Sequence, residues 1–148
     1  MKIRLAQLSD KETLVNFQLA LALESEGLKL DLATLNAGVE ALFSDPSLGQ
    51  YWVAEIEGEV RGCLLTVPEW SDWRNATVLW IHSVYVHKDA RGKGVYKHLY
   101  ANLKEMVQVD SSLAGLRLYV DKRNESAIKV YEKLEMNGEH YHLYEWLK

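Results

Sequence analysis

The stretch "RGKGVY", Arg91 to Tyr96, sets two glycines and two cations between an apolar, β-branched run, "ATVLWIHSVYVH", and a segment of helical pattern. Glycines at such a turn let backbone N–H groups approach a ligand with no Cβ in the way. A helix starting there adds unsatisfied N–H groups and the positive end of its dipole. Arg91, Lys93 and Lys97 add cationic charge, and together these features suit a phosphate. Two common phosphate-binding patterns do not fit. No G-x-x-x-x-G-K-[ST] string occurs, and "GKGVYK" lacks the last glycine of G-x-G-x-x-G and falls past mid-chain instead of on the first strand–helix turn.

The elements that must position this turn follow from periodicity. "KIRLAQ" alternates as a first strand, and "SDKE" predicts a capping box with Ser9 as N-cap and Glu12 three residues on. The helix it opens places Leu14, Phe17 and Leu21 on one face and stops near Gly27; a second runs from Asp31 to before Pro46. "YWVAEIEGEVRGCLLTVPEW" predicts two strands joined at Glu57-Gly58, and another strand spans about Thr77 to His87. A helix with Val95, Leu99, Leu103 and Met106 in register follows. Then come the strand "LRLYV" (Leu116 to Val120), a helix capped by Asn124 and a last strand in "HYHLYEWL". The expected fold is α/β (α+β): a mixed, mainly antiparallel central sheet flanked by helices, in the order β-α-α-β-β-β-α-β-α-β(-β).

The length of 148 residues suits a single domain, 1–148, with no linker, repeat or low-complexity tract. A net charge of −4 argues against a nucleic-acid surface. The single Cys63 precludes an intramolecular disulfide and suits a reducing, cytoplasmic setting. Charged residues interrupt the early apolar stretch, so no signal peptide is expected. No run reaches the roughly 18 apolar residues of a membrane span. Cys63 lies inside a strand without a sequence-adjacent His, which disfavours a thiol nucleophile. His140 and His142 share a strand face, but no third ligand is evident and no metal is expected. Trp70 and Trp73 could line a substrate mouth or pack a loop.

"RGKGVY" is followed further along by "NESAIKVY", Asn124 to Tyr131. With both motifs in this element order, the chain resembles the GNAT superfamily of acyl-CoA-dependent N-acyltransferases. That family carries Arg/Gln-x-x-Gly-x-Gly/Ala between its fourth strand and third helix, usually with Asn-x-x-Ala-x-x-x-Tyr on the next helix. Arg91 and Gly94 fill the first two positions, and Asn124, Ala127 and Tyr131 fill the second motif. Tyr96 departs from it, standing where Gly or Ala is usual and narrowing the turn, and "YEKLEM" stands where Leu-Gly-Phe often ends the helix. The resemblance implies acetyl-CoA as co-substrate and no metal. The turn Arg91, Gly92, Lys93, Gly94, Val95 and Tyr96, together with Asn124, Ala127 and Tyr131, would hold it, and the backbone of Val84, Tyr85 and Val86 would carry the pantetheine arm as an added strand.

The resemblance also implies the reaction: transfer of an acetyl group from a thioester to a primary amine by direct attack in a ternary complex. The amine must lose a proton before it attacks, and the departing thiolate gains from an acid. Tyr131 stands at the family's position for that acid, although Ala127, Val130 and Leu134 share its face and packing would also explain it. His82 stands where some family members carry a base; a structural histidine is the alternative. Glu24 and Glu26 fall in the region that the family uses as one wall of the acceptor site, where carboxylates would attract a cation; a solvated helix end is the other reading. The expected partner is a small-molecule or peptide amine, with no nucleic acid and no membrane, and a homodimer is compatible with all of this. The rival function is a non-catalytic acyl-CoA-binding sensor or regulatory module of the same fold.

Overall fold

A computed structural model describes residues 1–148. The chain forms two compact units, Met1–Arg117 and Leu118–Lys148. The first holds a five-stranded sheet in the order β1-β2-β3-β4-β5, formed by β1 (Lys2–Leu5), β2 (Gln50–Ile56), β3 (Glu59–Ser71), β4 (Ala76–Val86) and β5 (Leu113–Arg117). The first four strands pair antiparallel, while β5 runs parallel to β4. Helices α1 (Lys11–Glu26), α2 (Leu32–Ser44) and α3 (Val95–Val109) complete this unit. No helix of the chain is long and apolar enough to cross a membrane.

The strand pleat assigns the two faces. Tyr51, Val53, Cys63 and Tyr85 point to one side and form a buried cluster with Leu14, Val15 and Phe17 of α1 and Val39 of α2. Their neighbours Ala54, Leu64 and Ile81 are buried on the other side, the face of α3, whose Val95, Leu99 and Leu103 are also buried. Gly62 sets how closely α3 can lie, because a Cβ there would come within 2.6 Å of Val95 Cγ1.

Several boundaries follow from local chemistry. Gly27 ends α1 in the left-handed region at φ 66°, where glycine is unstrained. Asp31 caps α2 by accepting from the Thr34 N–H at 2.8 Å. Glu57 and Gly58, both at positive φ, make the β2–β3 turn.

Three expectations are corrected. Ser9 does not cap α1: a 3-10 turn, Leu8–Asp10, precedes the helix, and Asp10 stands at the N-cap. Its carboxylate is already engaged by the Gln7 N–H at 2.7 Å and by Arg4 at 2.7 Å, and Arg4 holds its pKa low. The strand expected at Leu116 to Val120 forms three residues earlier, because Thr77 to Trp80 of β4 pair with Leu113 to Arg117. "HYHLYEWL" is not a strand. Alternation marks a face, but a strand also needs a ladder of hydrogen bonds, and within the second unit residues 141–148 form none. The second unit contains α4 (Glu125–Lys133), capped as expected by Asn124, whose Oδ1 accepts from the Ala127 N–H at 3.1 Å.

Candidate active site

The site is built along β4. Between the pairs Leu65↔His82 and Cys63↔Tyr85, the single residue Leu64 faces both Ser83 and Val84, so β4 carries a bulge. Ser83 absorbs it at φ 52°, the left-handed region that a non-glycine residue seldom occupies. Its carbonyl turns inward, accepting from the Cys63 thiol at 3.7 Å and from the buried Gln18 amide at 3.5 Å. The extra residue has a geometric consequence. His82 and Tyr85, three apart, share one face of the sheet, which a regular strand forbids.

The bulge falls where β4 loses a neighbour. Pairing with β5 ends at Trp80↔Arg117, so within the first unit the edge beyond it, through Val84 and Tyr85, is bonded only to β3. An extended amide-bearing ligand can add to such an edge. The edge is shorter than the sequence suggests, because the Val86 carbonyl already accepts from Arg91 Nε at 3.0 Å.

Past Val86 a 3-10 turn, Lys88–Ala90, leads to Gly92 and Gly94 at φ 76° and 75°. Gly94 is the N-cap of α3. A Cβ on Gly92 would meet nothing within 4 Å, and one on Gly94 only the His98 ring at 3.7 Å, so conformation is what selects glycine at both positions. The first turn of α3, including Val95 and Lys97, directs N–H groups away from any carbonyl of its own helix. Lys93 and Lys97 are exposed beside it without an ion pair, whereas Arg91 is spent on protein groups. Its Nη2 lies 2.5 Å from the Glu24 carboxylate, and its guanidinium lies 5.7 Å from the Tyr85 ring centre.

Glu24 therefore sits against the glycine turn, accepting also from the Tyr85 hydroxyl at 3.2 Å, and Arg91 holds its pKa below the usual carboxylate range. Burial first, and then the Glu24 charge, push the Tyr85 phenol up. Glu26 is exposed on the last turn of α1 and is not drawn into this cluster. His82 is half-buried, with its ring 6.3 Å from that of Trp80, and burial lowers its pKa, favouring the neutral imidazole. Cys63 is fully buried and its thiol is pushed up to about 12, a thiol that stays protonated and inert.

Asn124, Ala127 and Tyr131 belong to the second unit. There Asn124 is the helix cap, Tyr131 is half-buried, and burial raises its phenol pKa, keeping it a proton donor at neutral pH. No group of three or more His, Cys, Asp or Glu side chains is arranged to hold a metal. Sequence reasoning missed Ser83, Gln18 and Gly62. A serine inside a β pattern does not advertise a bulge, and a close helix–strand contact is a tertiary fact.

In this mixed α/β domain an open strand edge runs into a left-handed glycine turn at a helix N-terminus. The model of the acetyltransferase (GNAT) family matches residues 17–136, and the chain belongs to that family. Among solved structures, a protein from Clostridium difficile 630 described as "a possible acetyltransferase" is 40% identical, with 99% of this chain and 97% of that one covered and a TM-score of 0.93. A transcriptional regulator from Bacillus halodurans C-125 shares the fold at 21% identity, 99% coverage of both chains and a TM-score of 0.83. A ribosomal-protein-alanine N-acetyltransferase from Brucella melitensis biovar Abortus 2308 does so at 20% identity, 99% coverage of both and 0.78. Comparison with curated proteins finds no match.

Proposed function

We propose that the chain transfers an acetyl group from acetyl-CoA to a primary amine by direct attack in a ternary complex. The observation that carries this reading is the continuity of the β4 edge with the Gly92–Gly94 turn. Backbone amides past the bulge would hold the extended arm. The first-turn amides of α3, with Lys93 and Lys97, would hold the pyrophosphate. Acetyl-CoA supplies the thioester.

The chain's own residues supply the proton transfers. His82, kept neutral by burial, accepts the proton of the incoming ammonium directly or through water. Tyr131 gives a proton to the departing thiolate, a role that rests on its place in the Asn-x-x-Ala-x-x-x-Tyr motif. A sensor that binds acyl-CoA without turnover needs no base beside the open edge, and His82 favours the enzyme. The test is calorimetric titration of CoA combined with thiol release from acetyl-CoA across a panel of primary amines. Binding with release for at least one amine is the expected result. Binding with no release for any amine establishes the sensor instead.

A further inference from the structure

On the α1/α2 face, past the buried cluster that ends at Tyr85 and Cys63, four side chains from three strands lock together. Glu69 of β3 accepts the indole N–H of Trp80, and accepts from Arg117 Nη1 at 3.0 Å. The Arg117 guanidinium carbon lies 6.0 Å from the Trp80 ring centre, and the His82 ring lies 6.3 Å from the Trp80 ring. Trp80 is thus fixed by its N–H, with a guanidinium and an imidazole as neighbours.

Arg117 is only partly used by this arrangement. Glu69 takes Nη1, and the Nε–Nη2 edge makes no hydrogen bond, although the side chain is 33% exposed. That edge presents two parallel N–H donors spaced to match the two oxygens of a carboxylate. Glu69 and the indole prevent the fork from rotating away. His82 and Arg117 each lie about one side-chain width from the Trp80 ring, at 6.3 and 6.0 Å, so the three form one cluster.

We propose that the acceptor is an amine that also carries a carboxylate, bound by the Nε–Nη2 edge of Arg117, with its carbon skeleton against the face of Trp80. Glu69 is the positioning residue that fixes both. This rests on the acyl-transfer reading, with His82 as the group that takes the proton.

The test uses matched pairs of ω-amino acids and their carboxamides over several chain lengths, with thiol release as the readout for wild type, Arg117→Met and Arg117→Lys. In wild type, kcat/KM should favour the carboxylate by roughly tenfold or more at the best length, the size of a charge-assisted hydrogen bond. Arg117→Met should abolish the preference, read as the ratio of acid to carboxamide kcat/KM within the variant, with the melting temperature near wild type. Arg117→Lys should restore only part of it. Carboxamides that turn over as well as the acids would overturn the carboxylate site and leave acyl transfer standing, as would a preference that survives Arg117→Met. If CoA binds and no amine releases thiol, acyl transfer fails instead, and the site is then decided by the ¹⁵N indole resonance of Trp80. Its displacement by ω-amino acids in wild type but not in Arg117→Met supports an anion site, and an unmoved resonance removes it.

Discussion

The two ends of the β4 edge are built in different ways. From Ser83 to Gly94 the groups proposed to hold the ligand are backbone: a bulged edge, two left-handed glycines and the first turn of α3. At Trp80 and His82 they are side chains, held by Glu69 from β3 and Arg117 from β5. A backbone site constrains residue type strongly, since few residues tolerate a φ near 75°, and so it leaves a spacing in the sequence. A side-chain site drawn from three strands constrains types without a spacing. The first kind suits a ligand common to a whole family, and the second suits one particular to a member.

The largest expected effect separates chemistry from both ends. Tyr131→Phe keeps the ring and removes the phenol, so kcat should fall on the order of 10²-fold or more, with the KM for acetyl-CoA little changed. The melting temperature should hold, because no apolar area is lost. The defect should shrink as pH rises and the thiolate leaves unassisted. Equal kcat and superimposable pH–rate profiles would make Tyr131 a packing residue.

Next comes the backbone end. Gly94→Val forces a β-branched residue to φ 75° and should weaken CoA binding roughly tenfold or more by calorimetry. Gly62→Ala offers a contrast, since its cost is spatial: a Cβ 2.6 Å from Val95 Cγ1 should lower stability by about 1–3 kcal/mol in denaturant unfolding. Unchanged CoA affinity in a folded Gly94→Val protein would remove the pyrophosphate from this turn.

A smaller effect tests Glu24. On sequence grounds, replacing Glu24 and Glu26 should raise the KM for the amine and spare CoA. The pairing of Glu24 with Arg91 redirects that expectation. Glu24→Gln releases Arg91 toward a phosphate and should tighten CoA binding by up to about fivefold at low salt, the scale of an exposed ion pair, with the gain fading as salt is added. A rise in the KM for the amine with CoA affinity unmoved would return Glu24 to the acceptor wall.

The smallest effect is a displaced pH limb. Burial lowers the His82 pKa, so its neutral form persists below the ordinary imidazole value of about 6.5. The acid limb of kcat/KM should fall below that value in wild type and disappear in His82→Gln. The sign for stability follows from the same shift. Above the ordinary value His82 adds no pH dependence, and as pH falls from there through its lowered folded pKa, stability is lost, because the unfolded chain binds the proton first. A wild-type limb at or above 6.5, or one retained in His82→Gln, would assign the limb to another group.

Much of the frame was legible in the chain itself. Gly27, Asp31, Glu57-Gly58 and Asn124 marked element ends because caps and left-handed turns depend on local chemistry. "RGKG" marked the left-handed turn before α3 for the same reason. Tertiary structure decided the rest. It placed β5 three residues early, since register depends on the partner strand, and left "HYHLYEWL" without a ladder. It bulged β4 at Ser83, setting His82 and Tyr85 on one face. It turned Glu24 toward Arg91 and gathered Glu69, Trp80 and Arg117 into one cluster. Such contacts join residues far apart in the chain, and no local pattern encodes them, because what fixes each one is the position of the other.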